Sequence, residues 1–311
     1  MKIFNHGKAI TILHYFTDKV EDYWHILYPV TAGTERHGDS FLYFYDISRK
    51  ATEFTGDFSS DGIYLFPGYD GNNHLHALEI SQYSLACWLA WRQNNATQWS
   101  NQAMLHCDWL INNQQRDGAW YIIHKNPLYA DLPTPWPSSL AQGLAISSLL
   151  RAWRFSQQSK YLKAAEAAAD FLDLDCEYNG LKRQITMSGV TGFIYEEYPR
   201  QQLNGVLNGY ISVVLALEEL SHEVDSYRQL FNINIDNLLR LMPLFDTGFW
   251  SYYALDGNIA SGFYHRLVVK QLQVLIEFDD GFRFWHDKFL AYQNSKYCAI
   301  KALVSKLRKK L

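Results

Sequence analysis

The chain has 311 residues, 48% of them hydrophobic, and a formal net charge of −4. That length and apolar content support a sizeable core and exclude a disordered chain. The mildly negative charge argues against a nucleic-acid or anionic-membrane surface as the main partner. The four cysteines, Cys87, Cys107, Cys176 and Cys298, form no CxxC pair, so neither a disulfide framework nor a structural zinc site is expected. Met1 to Phe16 is interrupted by Asn5, His6, Gly7 and His14 and holds no signal-peptide core. With no apolar run of membrane-span length, a cytoplasmic address is the expectation.

In chain order, Phe41 to Tyr45 and Ala51 to Phe54 are short β-favouring runs around the polar turn Ser48-Arg49-Lys50 and predict a hairpin. Gly62 to Gly71, with Pro67, reads as irregular loop. From Leu78 onward the pattern is helical, with apolar residues at three- and four-residue spacing over Leu78 to Gln93 and Gln98 to Asn113. Ser138 is placed to cap a helix through Arg154, and Ser159 to cap the alanine-rich run Lys160 to Leu172. Further helices are predicted over Val206 to Leu220, Tyr227 to Leu241, His265 to Phe278 and Phe282 to Leu307, the last with a break. Strand signal beyond Leu78 is slight. Only the tail is basic, at Lys306, Arg308, Lys309 and Lys310, and reads as a solvated helix end favoured by the helix dipole.

Two segments echo each other. Asp117-Gly118-Ala119-Trp120 and Asp246-Thr247-Gly248-Phe249-Trp250 each follow a helix with a tight Asp/Gly turn and then a Trp. Antiparallel helix pairs joined in this way build α/α toroids, whose loops enclose a cleft. The expected fold is therefore mainly α, an incomplete α/α toroid over residues 76–311, with a short N-terminal β-hairpin extension over residues 1–75. Ten Trp, 21 Tyr and 18 Phe make up 16% of the chain; most are core, but the excess also suits a groove in which rings stack on sugar C–H faces.

The sharpest polar cluster is Tyr195-Glu196-Glu197-Tyr198-Pro199. Pro199 keeps the preceding residues out of a helix, and in an extended run Glu197 and Tyr195 would face one way, Glu196 and Tyr198 the other. The plain alternative is a rim strand whose carboxylates pair with Arg200 or Lys182. A buried Glu tuned upward beside phenols is equipped for acid–base work. Tyr252-Tyr253, and then Tyr264-His265-Arg266, offer a phenol, an imidazole and a fixed cation within one turn. Glu79, Gln82 and Tyr83 open the first long helix.

These segments resemble the C-terminal helical domain of D-glucuronyl C5-epimerases. The likeness rests on Ile80 to Leu85, Pro137 to Arg151 with Ala141-Gln142-Gly143, Tyr195 to Pro199, Val206-Leu207-Asn208-Gly209, Leu241 to Gly248, and Tyr264-His265 with Gln271-Leu272. The resemblance implies a cofactor-free conversion of D-glucuronate to L-iduronate in a heparosan-like polysaccharide or oligosaccharide. Glu197 and Tyr264 would act on opposite faces of C5, with Tyr198 and Tyr253 as supporting phenols. Substrate-binding residues would be Tyr83, Gln142, Tyr195, Arg200, Asn208, His265 and Arg266, and a homodimer is among the expected states. The chain departs from the family at Ala254-Leu255-Asp256, where relatives carry Asp-Leu-Arg, and at Leu267-Val268-Val269, where a histidine is usual. Arg200 and Arg266 are the expected replacements for the lost cation. A uronate lyase and a non-catalytic glycan-binding module are the rival readings.

Overall fold

The structure is a computed structural model and describes residues 10–19, 23, 25–68 and 70–308. The first nine residues, and Lys309 and Lys310 of the basic run, lie outside these. The periodic apolar spacing folds into helical hairpins: α1 (Ala77–Asn94) with α2 (Thr97–Asn113), α3 (Ser139–Ser156) with α4 (Ser159–Leu172), α5 (Leu207–Glu223) with α6 (Arg228–Leu241), and α7 (Gly262–Leu275) with α8 (Phe282–Asn294). After a break at Ser295 comes α9 (Lys296–Arg308).

The first helix of each pair is buried almost all round; α5 hides every residue from Leu207 to Ser221. The second buries one face only, as α6 does with Phe231, Asn234, Ile235, Asn237, Leu238 and Leu241. A helix with no wet face must be enclosed, so α1, α3, α5 and α7 pack side by side as an inner arc and their partners form the outer layer. Gly143 brings α3 and α5 close together; a Cβ there would lie 3.2 Å from the Ser212 carbonyl oxygen. This is a mainly-α, incomplete α/α toroid.

Four antiparallel hairpins sit in the connections: β1 (Phe66–Pro67) with β2 (Asn73–His74), β3 (Tyr121–Ile122) with β4 (Trp136–Pro137), β5 (Lys182–Met187) with β6 (Val190–Tyr195), and β7 (Tyr252–Ala254) with β8 (Asn258–Ile259). Strand content beyond Leu78 thus exceeds the expectation from sequence. No hairpin forms over Phe41 to Phe54; a two-residue pair, Phe66–Pro67 with Asn73–His74, begins in the stretch read as loop and ends beyond it. The segment expected to form it, Phe41 to Phe54, turns instead through a short helix, Arg49–Thr52, and Tyr45 makes a lone bridge to Val30. Tyr43, Phe44 and Tyr45 are adjacent and all buried, and with Ile47 and Ala51 they join the helices' own core, so the run lacks the in-and-out alternation of a half-exposed hairpin strand. Ser159 is the first residue of α4, with Gln158 at the cap position. Ser138 holds the cap position of α3 without a side-chain bond.

The echoed turns share one geometry. Asp117 Oδ1 accepts from Ala119 N at 3.0 Å, and Asp246 Oδ1 from Gly248 N at 2.8 Å. Gly118 and Gly248 take positive φ, 92° and 81°, and Trp120 and Trp250 are buried behind them. No helix among the described residues is long and apolar enough to cross a membrane.

Candidate active site

All four inner helices line one cavity of about 500 Å³, each with residues of its first two turns. Glu79 and Gln82 reach it from α1, Leu140 and Leu144 from α3, Asn208 and Ser212 from α5, and Tyr264, Leu267, Lys270 and Gln271 from α7. The opposite wall comes from the N-terminal segment, with Tyr28, Tyr43, Tyr45 and Lys50, from the hairpin residues Phe66 and Trp136, and from His124, Glu197 and Tyr198 in loops. The volume and the mix of rings with a few polar groups fit a small-molecule or sugar site. Helix N-termini carry partial positive charge, so four converging on one cleft favour an anionic occupant.

The two adjacent glutamates divide their work. Glu196 accepts from Arg183 Nε at 2.6 Å, Asn204 N at 3.2 Å and Gly205 N at 2.8 Å, and so ties down the loop after β6. Glu197 is equally buried, yet its Oε2 has no partner within hydrogen-bond distance. Room for that oxygen comes from Gly209 in the first turn of α5, where a Cβ would lie 2.5 Å from it. Burial pushes the Glu197 carboxyl up to about 7, with the nearby Tyr198 phenol pulling the other way and Glu196 adding to the rise. The strand ends at Tyr195, so the expected alternation fails beyond it, and Glu197 and Tyr198 face the cleft together.

Phenols gather around this carboxyl. Tyr253 and Tyr264 have ring centroids 4.9 Å apart. Tyr198 packs 4.8 Å from Tyr129 and 5.6 Å from Trp136. Burial, then the Glu197 charge, raises the Tyr198 and Tyr253 hydroxyls well above the usual phenol range. Both therefore hold their protons at neutrality and serve as donors. Further polar atoms on the lining lack partners within hydrogen-bond distance: Asn208 Oδ1, Gln271 Oε1, His76 Nδ1 and His124 Nε2. Buried polar atoms are almost always satisfied inside a protein, so a run of exceptions along one cleft marks where a polar ligand would complete them.

Several lining groups lie outside the residues expected to act on or bind substrate. Glu79 is raised to about 7 by burial, with Lys50 lowering it in part. Lys50 is almost wholly buried. Lys270 is half-buried, and burial lowers its ammonium pKa. The imidazoles of His74, His76 and His124 cluster near the mouth, with centroids 4.7 and 5.1 Å from His124. No group of three metal-ligating side chains among the described residues is arranged to hold an ion.

Of the residues expected to bind substrate, Asn208 lines the cavity and the others do not. Tyr83 sits in an aromatic nest with Phe54, Phe58, Tyr64 and His106. Gln142 braces the Asp117 turn by donating to Gly118 O at 3.0 Å and accepting from Trp120 N at 3.2 Å. Tyr195 points into the core, donating to Asp173 at 3.0 Å. His265 stacks on Trp250 at 3.8 Å and bonds Ser251 and the Phe289 carbonyl. Arg266 is buried and donates to the His14 carbonyl at 3.0 Å. Arg200 pairs with Asp131 at 2.8 Å and covers the Tyr129 ring, one layer behind Tyr198. The two arginines expected to replace the family's lost cation are thus occupied outside the cleft, and among the described residues the Lys and Arg side chains that line it are Lys50 and Lys270.

Fold and site together define a helical-hairpin protein with an acid–base cleft of carboxyl and phenol groups. Residues 114–296 match the family described as D-glucuronyl C5-epimerase C-terminus, and the chain belongs to that epimerase family. It is 28% identical over 215 residues to the D-glucuronyl C5-epimerase of Caenorhabditis elegans, a match covering 61% of this chain and 34% of the worm protein. An uncharacterised protein of Methanocaldococcus jannaschii is 25% identical over 158 residues, half of each chain. The chain thus spans a third to a half of these relatives' lengths. Among solved structures, a family 76 glycoside hydrolase from a bovine Bacteroides thetaiotaomicron strain aligns with a TM-score of 0.47 at 12% identity, over 65% of this chain and 44% of that one.

Proposed function

We propose that the chain is a uronate C5-epimerase, converting D-glucuronate to L-iduronate within a heparosan-like polysaccharide or oligosaccharide. The observation that carries the reading is Glu197: a buried carboxyl with an unpartnered oxygen, poised between its charge states near neutrality, amid phenols that stay protonated. The C5–H of a uronate is adjacent to a carboxylate. Its removal leaves an electron pair that spreads into the carboxyl group as an enediolate. Glu197 takes the proton from one face, and the Tyr264 phenol returns one to the other, with Tyr198 and Tyr253 donating hydrogen bonds to the developing charge. Lys50, Lys270 and the inner-helix N-termini hold the carboxylate and offset the enediolate's added negative charge. The aromatic walls accept the sugar's C–H faces.

Incubation with a glucuronate-containing polymer in deuterated water tests this directly. Deuterium should enter at C5 without any unsaturated, ultraviolet-absorbing product. An absorbing product would make the protein a lyase, and absence of exchange a binding module. Glu197→Gln and Tyr264→Phe should each abolish exchange with an unchanged circular dichroism spectrum.

A further inference from the structure

Helix α9 carries Lys296, Lys301, Lys306 and Arg308 and no acidic residue, in a chain whose formal net charge is −4. One face seats Ala299 and Ala302 in a small cluster with Tyr15, Trp250 and Ala260. A helix packed on one face should show a polar face to water. Here the outward face is apolar: Tyr297 is 71% exposed, Ile300 52%, Val304 39% and Leu307 51%. Their spacing of three, four and three residues draws one stripe along roughly 15 Å of helix. By the same period, Lys296 borders the stripe on one side, and Lys301 and Arg308 border it on the other, all three exposed. Lys301 also lies 4.3 Å over the Phe249 ring, while Lys306 donates to the Ile259 carbonyl at 2.8 Å and holds the helix to the body.

An exposed apolar line with basic margins matches one occupant. We propose that α9 docks the protein on an anionic lipid surface, lying in the plane of the headgroups. The stripe enters the boundary between headgroups and acyl chains, and the flanking ammonium and guanidinium groups reach outward to the lipid phosphates and carboxylates. A second copy is a poor fit for this face, because symmetric pairing would set two acid-free basic helices against each other. The net charge of −4 does not oppose docking. Attraction to a charged surface is felt within a Debye length, about 8 Å at physiological salt, and over that range α9 presents positive charge only.

Sedimentation of the full chain with phosphatidylcholine vesicles, with and without phosphatidylserine, tests the assignment. Binding to the anionic vesicles should exceed binding to neutral ones by roughly tenfold or more and should weaken with salt. Ile300→Asp with Val304→Asp should lose that binding while keeping the wild-type dichroism and melting midpoint, since both positions are exposed. Lys296→Glu with Arg308→Glu should lose the anionic preference. The proposal falls if wild type ignores both vesicles or if the double aspartate variant binds as wild type does. It also falls if light scattering shows a dimer that the aspartates split, which would make the stripe a contact between copies. C5 exchange on a soluble polymer stays at the wild-type level in the aspartate variant, so this test stands or fails apart from the chemistry of the cleft.

Discussion

A carboxyl whose pKa rises on folding makes stability depend on pH in a definite direction. Glu197 titrates near 4.5 in the unfolded chain and near 7 in the fold. Between those values the folded state binds the extra proton, so stability falls as pH climbs through this window and stays at the lower level above it. Glu197→Gln removes that loss. The variant should melt like wild type below the window and be more stable above it, by on the order of 3 kcal/mol at most, while C5 exchange disappears. Paired melts on either side of neutrality check this, and midpoints that track wild type at every pH would show that the carboxyl is not desolvated. If Glu197 is the base proposed above, wild-type exchange should rise with pH through about 7. The cations give a second contrast. Lys270→Met should raise KM for a uronate substrate by roughly tenfold and flatten its salt dependence, whereas Arg200→Ala, whose guanidinium faces Asp131, should leave the salt slope unchanged.

At the scale of elements, most of the helical skeleton was legible because apolar spacing and enclosure agree, and helix ends fell within a few residues of their predicted places. The site was legible only in part, for a reason visible in α7. Tyr264, His265 and Arg266 are neighbours in sequence, but successive helical residues point about 100° apart. The helix begins at Gly262, so Leu267 and Gln271 share the cleft face with Tyr264, while His265 and Arg266 turn into the body. Reading by adjacency groups Tyr264 with His265 and Arg266, which do not line the cavity; reading by period groups it with Leu267 and Gln271, which do. Glu79 and Gln82, one turn apart on α1, carried the same signal. Lys50 had none, because its place in the cleft depends on the distant path of the N-terminal segment. The echoed turns were legible and can be compared directly. Gly118 has φ 92° and a Cβ there would meet the Ala167 carbonyl oxygen at 2.1 Å, whereas Gly248 has φ 81° and open space. Gly118→Ala should cost about 2 kcal/mol or more, and Gly248→Ala about 1 kcal/mol from conformation alone. Chemical denaturation ranks them, and equal costs would mean that the close approach at Gly118 relaxes freely.

Across the whole molecule, the cleft exists because an N-terminal segment with little regular structure is stapled across the inner arc. Arg151, in the C-terminal half of α3, is the main staple. Fully buried, it donates to the Phe41 carbonyl at 3.0 Å, the Leu42 carbonyl at 2.7 Å, the Ser147 carbonyl at 2.7 Å and Glu219 on α5 at 2.7 Å. Arg36 repeats the device from the other side, pairing with Glu277 at 2.6 Å with its guanidinium 4.1 Å over the Phe44 ring. Arg154 holds Ser40 by its carbonyl at 2.6 Å. Just beyond these anchors come Tyr43 and Tyr45, which line the cavity, with Lys50 a few residues on. Removing one partner of a buried pair leaves the other charge uncompensated, at about 3–5 kcal/mol. Arg151→Met should therefore destabilise the protein by that order and should loosen one region ahead of the rest. Amide exchange over residues 40–50 should quicken before that of α3 and α5, because the helices keep their apolar packing while the segment loses its anchor. KM for the uronate polymer should rise with it, since the same segment carries Lys50. Arg151→Met with Glu219→Leu restores charge balance without restoring the two carbonyl bonds, so it should recover much of the stability but not the slow exchange. If the double variant regained both, the ion pair alone would be holding the segment; if Arg151→Met left exchange at residues 40–50 unchanged, the aromatic packing of Tyr43 and Phe44 would be sufficient to close the cleft.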